Sequence, residues 1–202
     1  MARYLGPRDR ISRRIGTNLF LKGERSYGPK NPMTRRAYAP GQHGNKRRGG
    51  GKISEYGRQL KEKQKAKAIY GILERQFRRY YDAATRAKSI TGERLIQLLE
   101  CRLDNVVFRL GLADSRPQAR QYVGHGHVRL NGKKVTIPSH QVAPGDTVEL
   151  VHVTREPSAL DVPLWMERTG KKALAGTFLD VPSRDQIPTE IEEQLIVEFY
   201  SR

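Results

Sequence analysis

The sequence predicts an α+β protein: a basic extended N-terminal arm, a helical domain, and a small module of two to three helices packed on a short antiparallel sheet, with a C-terminal tail packing back. Apolar residues recur with helical spacing in two stretches between residues 73 and 110. They alternate with polar residues around an Asn-Gly pair over 128–137, the pattern of a β-hairpin. The implied domains are residues 1–53, 54–91, 92–155 and 156–202, the last packing on the second.

Residues 1–53 are expected to form the arm because they are poor in apolar side chains and punctuated by Gly and Pro. Such a segment cannot bury a core by itself, although a short helix over 9–15 is predicted. Its cations suit a segment that becomes ordered on a phosphate backbone; a disordered tail is the alternative. They are Arg13, Arg14, Lys22, Arg35, Arg36, Lys46, Arg47 and Arg48.

Two helices are predicted next. Ser54 is a suitable N-cap for the first, which runs to about residue 70. The first helix carries a basic face with few acids beside it, Arg58, Lys61 and Lys65, flanked by Lys63 and Lys67. A solvated face usually mixes both signs, so this is the strongest helical candidate for phosphate contact. The second helix, over about 71–87, has a core stripe, Leu73, Phe77, Tyr80, Tyr81 and Ala84, while Arg75, Arg79 and Arg86 point elsewhere.

The module over 92–155 begins with an apolar helical stripe from Leu95 to Leu110, broken at most once. A short helix follows, with capping-box spacing between Ser115 and Gln118 and a stop at Gly124. A hairpin turning at 131–132 and a strand over 148–151 complete the module. Its exposed rim is expected to carry five cationic residues as a clamp for an RNA backbone, Arg116, Arg120, His125, Lys133 and Lys134.

The tail over 156–202 is net negative and suits packing and protein contact. Trp165, the only tryptophan, is expected to be buried rather than to stack on a base. A last helix is predicted to begin with a capping box between Thr189 and Glu192.

The charge distribution points to a polyanionic partner. The chain has 38 basic and 21 acidic residues, a net charge of +17. Residues 1–90 hold 24 basic and 6 acidic side chains, whereas residues 91–202 hold 14 and 15. Self-repulsion on this scale favours nucleic acid as the partner. The sequence lacks an apolar run long enough to span a membrane and an N-terminal secretory pattern, so no membrane partner is expected.

No catalytic, cofactor or metal site is predicted. The Gly-Lys pairs lack the rest of a phosphate-binding loop, and the five histidines lack metal-ligand spacing. Cys101 lies in an apolar helix and is expected to be buried and inert. The Arg102-Leu103-Asp104 tripeptide also occurs around the catalytic aspartate of some RNA pseudouridine synthases. Here Asp104 is expected to be a helix-surface carboxylate paired with an arginine, because the residues that follow are too few for a catalytic domain.

Several motifs resemble the S-four family of bacterial small ribosomal subunit proteins along nearly the whole chain. They are MARYLGP at 1–7, PGQHG at 40–44, SEYGRQLKEKQK at 54–65, YGILERQF at 70–77, RLDNVV at 102–107 and LIVEFYS at 195–201. The region from residue 92 to about 155 is similar to the RNA-binding module named after this family.

The resemblance implies a non-enzymatic, cytoplasmic constituent of the small (30S) subunit that binds a helical junction in the 5′ domain of 16S rRNA early in assembly. It also implies contact with the fifth small-subunit protein, an effect on decoding accuracy, and messenger RNA as a further partner. Together with the charge pattern, it gives the candidate RNA-binding residues Arg3, Tyr4, Arg8, Arg13, Arg14, Lys22, His43, Lys46, Arg47, Arg48, Arg58, Lys61, Lys65, Arg116, Arg120, His125, Lys133 and Lys134.

One departure from the family concerns metal. Many members carry an N-terminal cysteine cluster that binds zinc or an iron-sulfur centre, whereas residues 22–40 contain no cysteine. The arm is therefore expected to depend on RNA contact and local packing. Two other classes of function remain open: an RNA-modifying enzyme, and a nonspecific basic chaperone or nucleoid-type protein.

Overall fold

The computed structural model describes residues 4–44, 53–153, 156–158, 161–170 and 174–202. It confirms the α+β class. The chain divides into two compact units, one formed by Met1–Asp82 with Glu190–Arg202 and the other by Ala83–Thr189. Within the described ranges, none of the helices combines the length and the apolar character that crossing a bilayer requires.

The first unit is helical. Its described helices are α1 (Arg8–Ile15), α2 (Pro32–Arg35), α3 (Glu55–Tyr70), most of α4 (Glu74–Thr85) and α8 (Glu193–Tyr200). The predicted cap of α3 is confirmed, because the Ser54 hydroxyl accepts a hydrogen bond from the Gly57 amide at 3.2 Å. The helix ends at Gly71, whose φ of 63° suits a residue without a Cβ.

Aromatic packing joins α3, α4 and α8 in this unit. Phe77 of α4 is fully buried, and the Tyr81 and Tyr200 rings stack with centroids 4.5 Å apart. The predicted core stripe of α4 is therefore correct at Phe77 and Ala84 and wrong at Leu73, which is 40% exposed. Leu73 precedes the first helical residue, so the helical periodicity does not extend to it.

Glu74 is the polar anchor of the same helices. Its carboxylate accepts hydrogen bonds from Lys67 at 2.7 Å, Lys63 at 2.9 Å and the Tyr200 hydroxyl at 2.6 Å. Burial alone would raise the pKa of Glu74, but these three donors outweigh it and lower the pKa to about 2. The carboxylate thus stays ionised and ties α3 and α8 to the start of α4.

The second unit packs three helices on a five-stranded antiparallel sheet. The helices are α5 (Thr91–Glu100), α6 (Leu103–Arg109) and α7 (Arg116–His125). The strands are β1 (Val128–Leu130), β2 (Lys133–Lys134), β3 (Thr147–Leu150), β4 (Met166–Arg168) and β5 (Ala175–Phe178), in the order β2-β1-β3-β5-β4. The core is made of fully buried residues that include Leu95, Leu99, Leu103, Val106, Leu110, Val123, Val128, Val148 and Phe178.

The predicted break in the apolar helix falls between α5 and α6. Arg102 adopts an extended conformation, with φ −71° and ψ 138°, and pairs with Gln141 as an isolated β-bridge. The Cys101 carbonyl accepts from the Val142 amide at 2.8 Å, and the Leu103 amide donates to His140 at 2.8 Å. Pairing with residues 140–142 therefore replaces the helical hydrogen bonds of the Cys101 carbonyl and the Leu103 amide.

Several local predictions are wrong. Ser115 precedes α7 but its side chain makes no cap hydrogen bond, and the Gln118 side chain accepts from the backbone amide of Asp114 rather than from that of Ser115. The helix ends one residue after the expected stop, with Gly126 in the left-handed conformation. Ile137 is 54% exposed rather than on the core face. The capping box before α8 is absent, since Glu192 is the N-cap and makes no side-chain cap bond.

Strands β4 and β5 were not predicted. β5 pairs with β3 at Thr147–Thr177, and β4 pairs with β5, so residues of the acidic tail extend the sheet of the module. Trp165, immediately before β4, is 4% exposed, which confirms its expected burial. The strands are short and one contains a glycine at its centre, so their sequences carry little alternation.

Because the pKa of Glu74 is depressed in the folded state, its contribution to stability is present at neutral pH and declines as pH falls from about 4.5 towards 2. The Glu74→Gln variant should have a lower free energy of unfolding than the wild type at pH 7, with the difference shrinking over that acidic range. Urea denaturation at several pH values measures this.

The matched control is Glu55→Gln, which removes a carboxylate whose pairing with Arg58, at 3.5 Å, is more than half exposed. It should leave the free energy of unfolding nearly unchanged. Equal effects of the two substitutions would contradict the anchoring role of Glu74.

Candidate nucleic-acid interface

The described part of the arm is held by its own polar contacts. The Ser26 carbonyl accepts from the Asn18 side chain at 2.8 Å and from the Asn31 side chain at 2.9 Å. The Ser26 hydroxyl accepts from the Lys22 amide at 3.1 Å. In this cysteine-free segment, side-chain amides and a hydroxyl thus organise the backbone. This agrees with the expected role of local packing.

Two predicted RNA-binding residues of the arm also hold its fold. Arg13 donates from Nε to the carbonyls of Arg36 at 3.1 Å and Tyr38 at 3.0 Å, and its guanidinium lies over the Tyr38 ring. Lys22 pairs with Asp9 at 3.0 Å. Both side chains are therefore partly committed within the arm.

The other arm candidates differ in exposure. Tyr4, Arg14 and His43 are exposed, and Arg8 is half-buried at the start of α1. Arg3, Lys46, Arg47 and Arg48 lie outside the described residues.

The basic face predicted on α3 contains both paired and exposed cations. Lys63 and Lys67 pair with Glu74, and Lys65 pairs with Glu62 at 3.0 Å; these three lysine side chains are only 7–14% exposed. Of the five cations of this helix, Arg58 and Lys61 remain exposed. Lys61 makes no hydrogen bond or ion pair within the described ranges. The exposed basic surface of α3 is thus narrower than its sequence indicates.

In the second unit, buried carboxylates hold the arginines of the module. Asp104 receives two hydrogen bonds from Arg102, at 3.0 and 2.6 Å, and lies 3.6 Å from an Arg120 nitrogen. Asp104 is 4% exposed and Arg102 is fully buried. The expectation of a surface carboxylate at Asp104 is therefore wrong in its exposure and right in its pairing. A carboxylate held in this way is not available as a base.

Glu100 organises the second half of the same network. It is fully buried and accepts from Arg109 at 2.8 and 3.0 Å and from the Asn105 amide at 2.6 Å. The Asn105 oxygen in turn accepts from Arg116 Nε at 2.7 Å, and the Arg116 guanidinium lies 4.5 Å from the centre of the Phe108 ring. Helices α5, α6 and α7 are therefore joined by charged hydrogen bonds.

Two residues predicted to lie on the exposed rim belong to this network instead. The side chains of Arg116 and Arg120 are each 11% exposed, so they are not on an open rim. Each directs part of its guanidinium towards a buried acceptor and leaves a small part at the surface.

The exposed cations of the module lie at the end of α7 and on the hairpin. His125, Lys133 and Lys134 are exposed as predicted. The turn between β1 and β2 is fixed by Asn131, whose amide donates to Asp146 at 2.7 Å and whose oxygen accepts from the Thr147 amide at 2.8 Å. Positive φ at residues 131 and 132, 49° and 75°, is the geometry for which Asn-Gly is favoured. The two lysines therefore follow a braced turn.

Several exposed arginines were not among the predicted site residues, including Arg75, Arg78 and Arg79 on α4, and Arg129 on β1. The exposure of the α4 arginines could have been predicted from their helical positions opposite Phe77, which is buried. The exposure of Arg129 could have been predicted from the alternation that buries Val128 and Leu130 on either side of it.

The buried thiol and the described acidic residues give no indication of catalysis. Burial raises the pKa of Cys101 to about 11, so its thiol stays protonated at neutral pH, as expected for an inert cysteine.

Two known protein families match successive parts of the sequence. Residues 3–100 match the family described as "Ribosomal protein S4/S9 N-terminal domain", and residues 101–148 match the "S4 domain". The chain is 52% identical over 210 residues to a protein of Dictyoglomus thermophilum and 53% identical over 212 residues to one of Geotalea daltonii. Each is named "Small ribosomal subunit protein uS4", and each alignment covers 100% of both chains.

The exposure difference within the module predicts different effects of two double substitutions that remove the same charge. Arg116→Ala with Arg120→Ala should lower the free energy of unfolding by about 2–4 kcal/mol, because buried acceptors lose charged donors. Lys133→Ala with Lys134→Ala should change it by less than about 1 kcal/mol, because both side chains are exposed. Urea denaturation of the two variants and the wild type measures this. Equal losses would show that the arginine network does not hold the helices.

Proposed function

The chain belongs to the uS4 family of small ribosomal subunit proteins, and on that premise we propose that it is a structural constituent of the small subunit that binds 16S rRNA. It binds a helical junction in the 5′ domain early in assembly, through the described part of the arm, the exposed cations of α3 and the hairpin side of the module. The family is structural and non-enzymatic. The site of action is the ribosome, in the cytoplasm.

The observation that carries the proposal is the contrast between committed and exposed cations in the module. Arg102, Arg109, Arg116 and Arg120 have carboxylate partners, whereas Lys133 and Lys134 are exposed and without an ion pair in the part of the chain that the structure describes. Exposed cations beside a braced turn can neutralise phosphates and release counterions, which supplies affinity. The buried network fixes where those cations lie, which supplies selectivity for one RNA shape.

Arg116 and Arg120 contribute to RNA contact through the small exposed part of each guanidinium. Their main partners are inside the protein. They therefore contribute to RNA binding more by positioning the helices of the module than by neutralising phosphates. Arg3, Lys46, Arg47 and Arg48 remain proposed contacts from sequence alone.

The acidic part of the chain supports protein neighbours. Between residues 156 and 189, five acidic side chains are exposed, Glu156, Asp161, Glu167, Asp180 and Asp185. Carboxylates repel phosphates and attract basic proteins, so this stretch suits a protein partner. We assign it to contact with neighbouring small-subunit proteins, including the fifth, through which the protein affects decoding accuracy.

The surroundings of Asp104 favour the structural function over the RNA-modifying alternative. Its two hydrogen bonds from Arg102, its burial and the Arg120 nitrogen 3.6 Å away commit the carboxylate to partners inside the protein. The nonspecific basic binder is the remaining alternative, and it makes a different prediction about salt.

Binding to a fragment of the 16S 5′ domain should exceed binding to an unrelated structured RNA of equal length, and the preference should persist as salt is raised. Fluorescence anisotropy titrations over a salt series measure both affinities. Equal affinities that collapse together with salt would indicate a nonspecific binder and contradict the proposal.

The hairpin contribution is tested in the same titrations. Lys133→Ala with Lys134→Ala should reduce the slope of log affinity against log salt by about 1.4–1.8, since each phosphate contact contributes about 0.7–0.9. Glu149→Gln with Glu167→Gln, which removes two acidic side chains of the same sheet, is the control and should not reduce the slope. An unchanged slope in the lysine variant would remove the hairpin from the interface.

A further inference from the structure

We propose that Arg75, Arg78 and Arg79 form a further phosphate-binding surface for RNA, the α4 arginine face, separate from the α3 and hairpin contacts. The three residues are exposed and lie at positions i, i+3 and i+4 of one helix, so they share one side of it. This inference rests on the proposed RNA-binding function and adds a site that the sequence analysis did not assign.

The nearest acid in sequence is committed to other cations. Glu74 directs its carboxylate to Lys63, Lys67 and Tyr200, and those contacts keep it ionised. No ion pair or hydrogen bond joins an acidic side chain to the α4 arginine face within the described ranges. Three guanidinium groups on adjacent turns are therefore left without a carboxylate.

The arrangement costs folding free energy. Like charges spaced three and four residues apart on a helix repel each other. Asp82, which is three residues from Arg79 and four from Arg78, is exposed and forms no ion pair in the described part of the chain. On α3, by contrast, Lys63, Lys65 and Lys67 each have a carboxylate partner. A phosphate backbone would offset this repulsion.

The opposite side of α4 holds the arginines on a fixed support. Phe77 is fully buried, its ring lies 6.2 Å from that of Tyr200, and Tyr81 stacks on Tyr200 at 4.5 Å. The Glu74 contacts fix the start of the helix. Because the backbone is anchored, little ordering is required beyond the arginine side chains when a ligand binds.

The chemistry of the face favours phosphate. Arginine presents planar donors that match phosphate oxygens in pairs, and residues one helical turn apart can reach successive phosphates of one strand. The one large apolar residue between Arg75 and Arg79, Phe77, is fully buried, so it does not give the face the exposed apolar centre that a protein interface normally has. An acidic protein segment is the competing ligand and is an outcome of the test.

The test uses the full chain with all three arginines replaced by Gln, and a control with all three replaced by Lys. The Gln variant should lose about 2.1–2.7 units of salt slope, so that between roughly 50 and 200 mM salt its affinity for the 5′-domain fragment falls about 20–40-fold less than that of the wild type. The Lys variant keeps the charge and should keep the slope. Circular dichroism should show the same helix content in all three proteins.

Hydroxyl-radical footprinting of the complexes identifies the place of contact. The Gln variant should lose protection at one discrete group of nucleotides, with the other protections retained. Loss of slope in both variants, or uniform weakening without a local change in the footprint, would overturn the inference.

Two further outcomes separate this inference from the proposed function. Wild-type preference for the 5′-domain fragment with an unchanged Gln variant would overturn the α4 site and leave the proposed function standing. The same result accompanied by weaker binding of the Gln variant to polyglutamate would indicate an acidic protein ligand, which also overturns the inference. Absence of wild-type preference would contradict the proposed function itself.

Discussion

The scarcity of carboxylates in the first ninety residues is the constraint on which the surface of this protein depends. This region has six acidic side chains and 24 basic ones. A cation that pairs with one of these acids inside a unit is withdrawn from the exposed surface. Glu74 takes two lysines of α3, and Glu62 takes a third. Many of the remaining cations, Lys61 and the three arginines of α4 among them, have no carboxylate partner within the described ranges. Fold and binding surface are thus set by the same pairing of charges.

In the second unit, ion pairs compensate for the burial of carboxylates. Glu100 and Asp104 are buried, and their burial is tolerated because arginines from α6, α7 and the α5–α6 corner satisfy their oxygens. Those contacts fix the helices that precede the hairpin, while the hairpin lysines remain exposed. A support fixed by buried ion pairs, with exposed cations at its edge, is suited to recognising RNA by shape, since phosphates are alike in every sequence and only their arrangement differs.

Local periodicity predicted most helices, because the spacing of Leu95, Leu99 and Val106 on one side of a helix is a property of neighbouring residues. It could not predict the pairing of Lys63 with Glu74 or of Arg116 with Asn105, since these depend on how helices meet. For that reason the sequence analysis overestimated the exposed area of the basic face of α3 and the exposure of Arg116. It also did not identify Arg78 as an exposed cation. Strands β4 and β5 were missed because they are short and gain their hydrogen bonds from β3, far away in sequence.

The central claim, that internally paired cations maintain the fold while unpaired cations bind RNA, is tested most directly by lysine acetylation followed by mass spectrometry, with and without the 5′-domain RNA. Lys61, Lys133 and Lys134 should react readily in the free protein and be protected by RNA. Lys63 and Lys67 should react slowly in both states, because their side chains are 7% and 14% exposed and paired with Glu74. Fast acetylation of Lys63 in the free protein, or unchanged reactivity of Lys133 and Lys134 on RNA binding, would contradict the account.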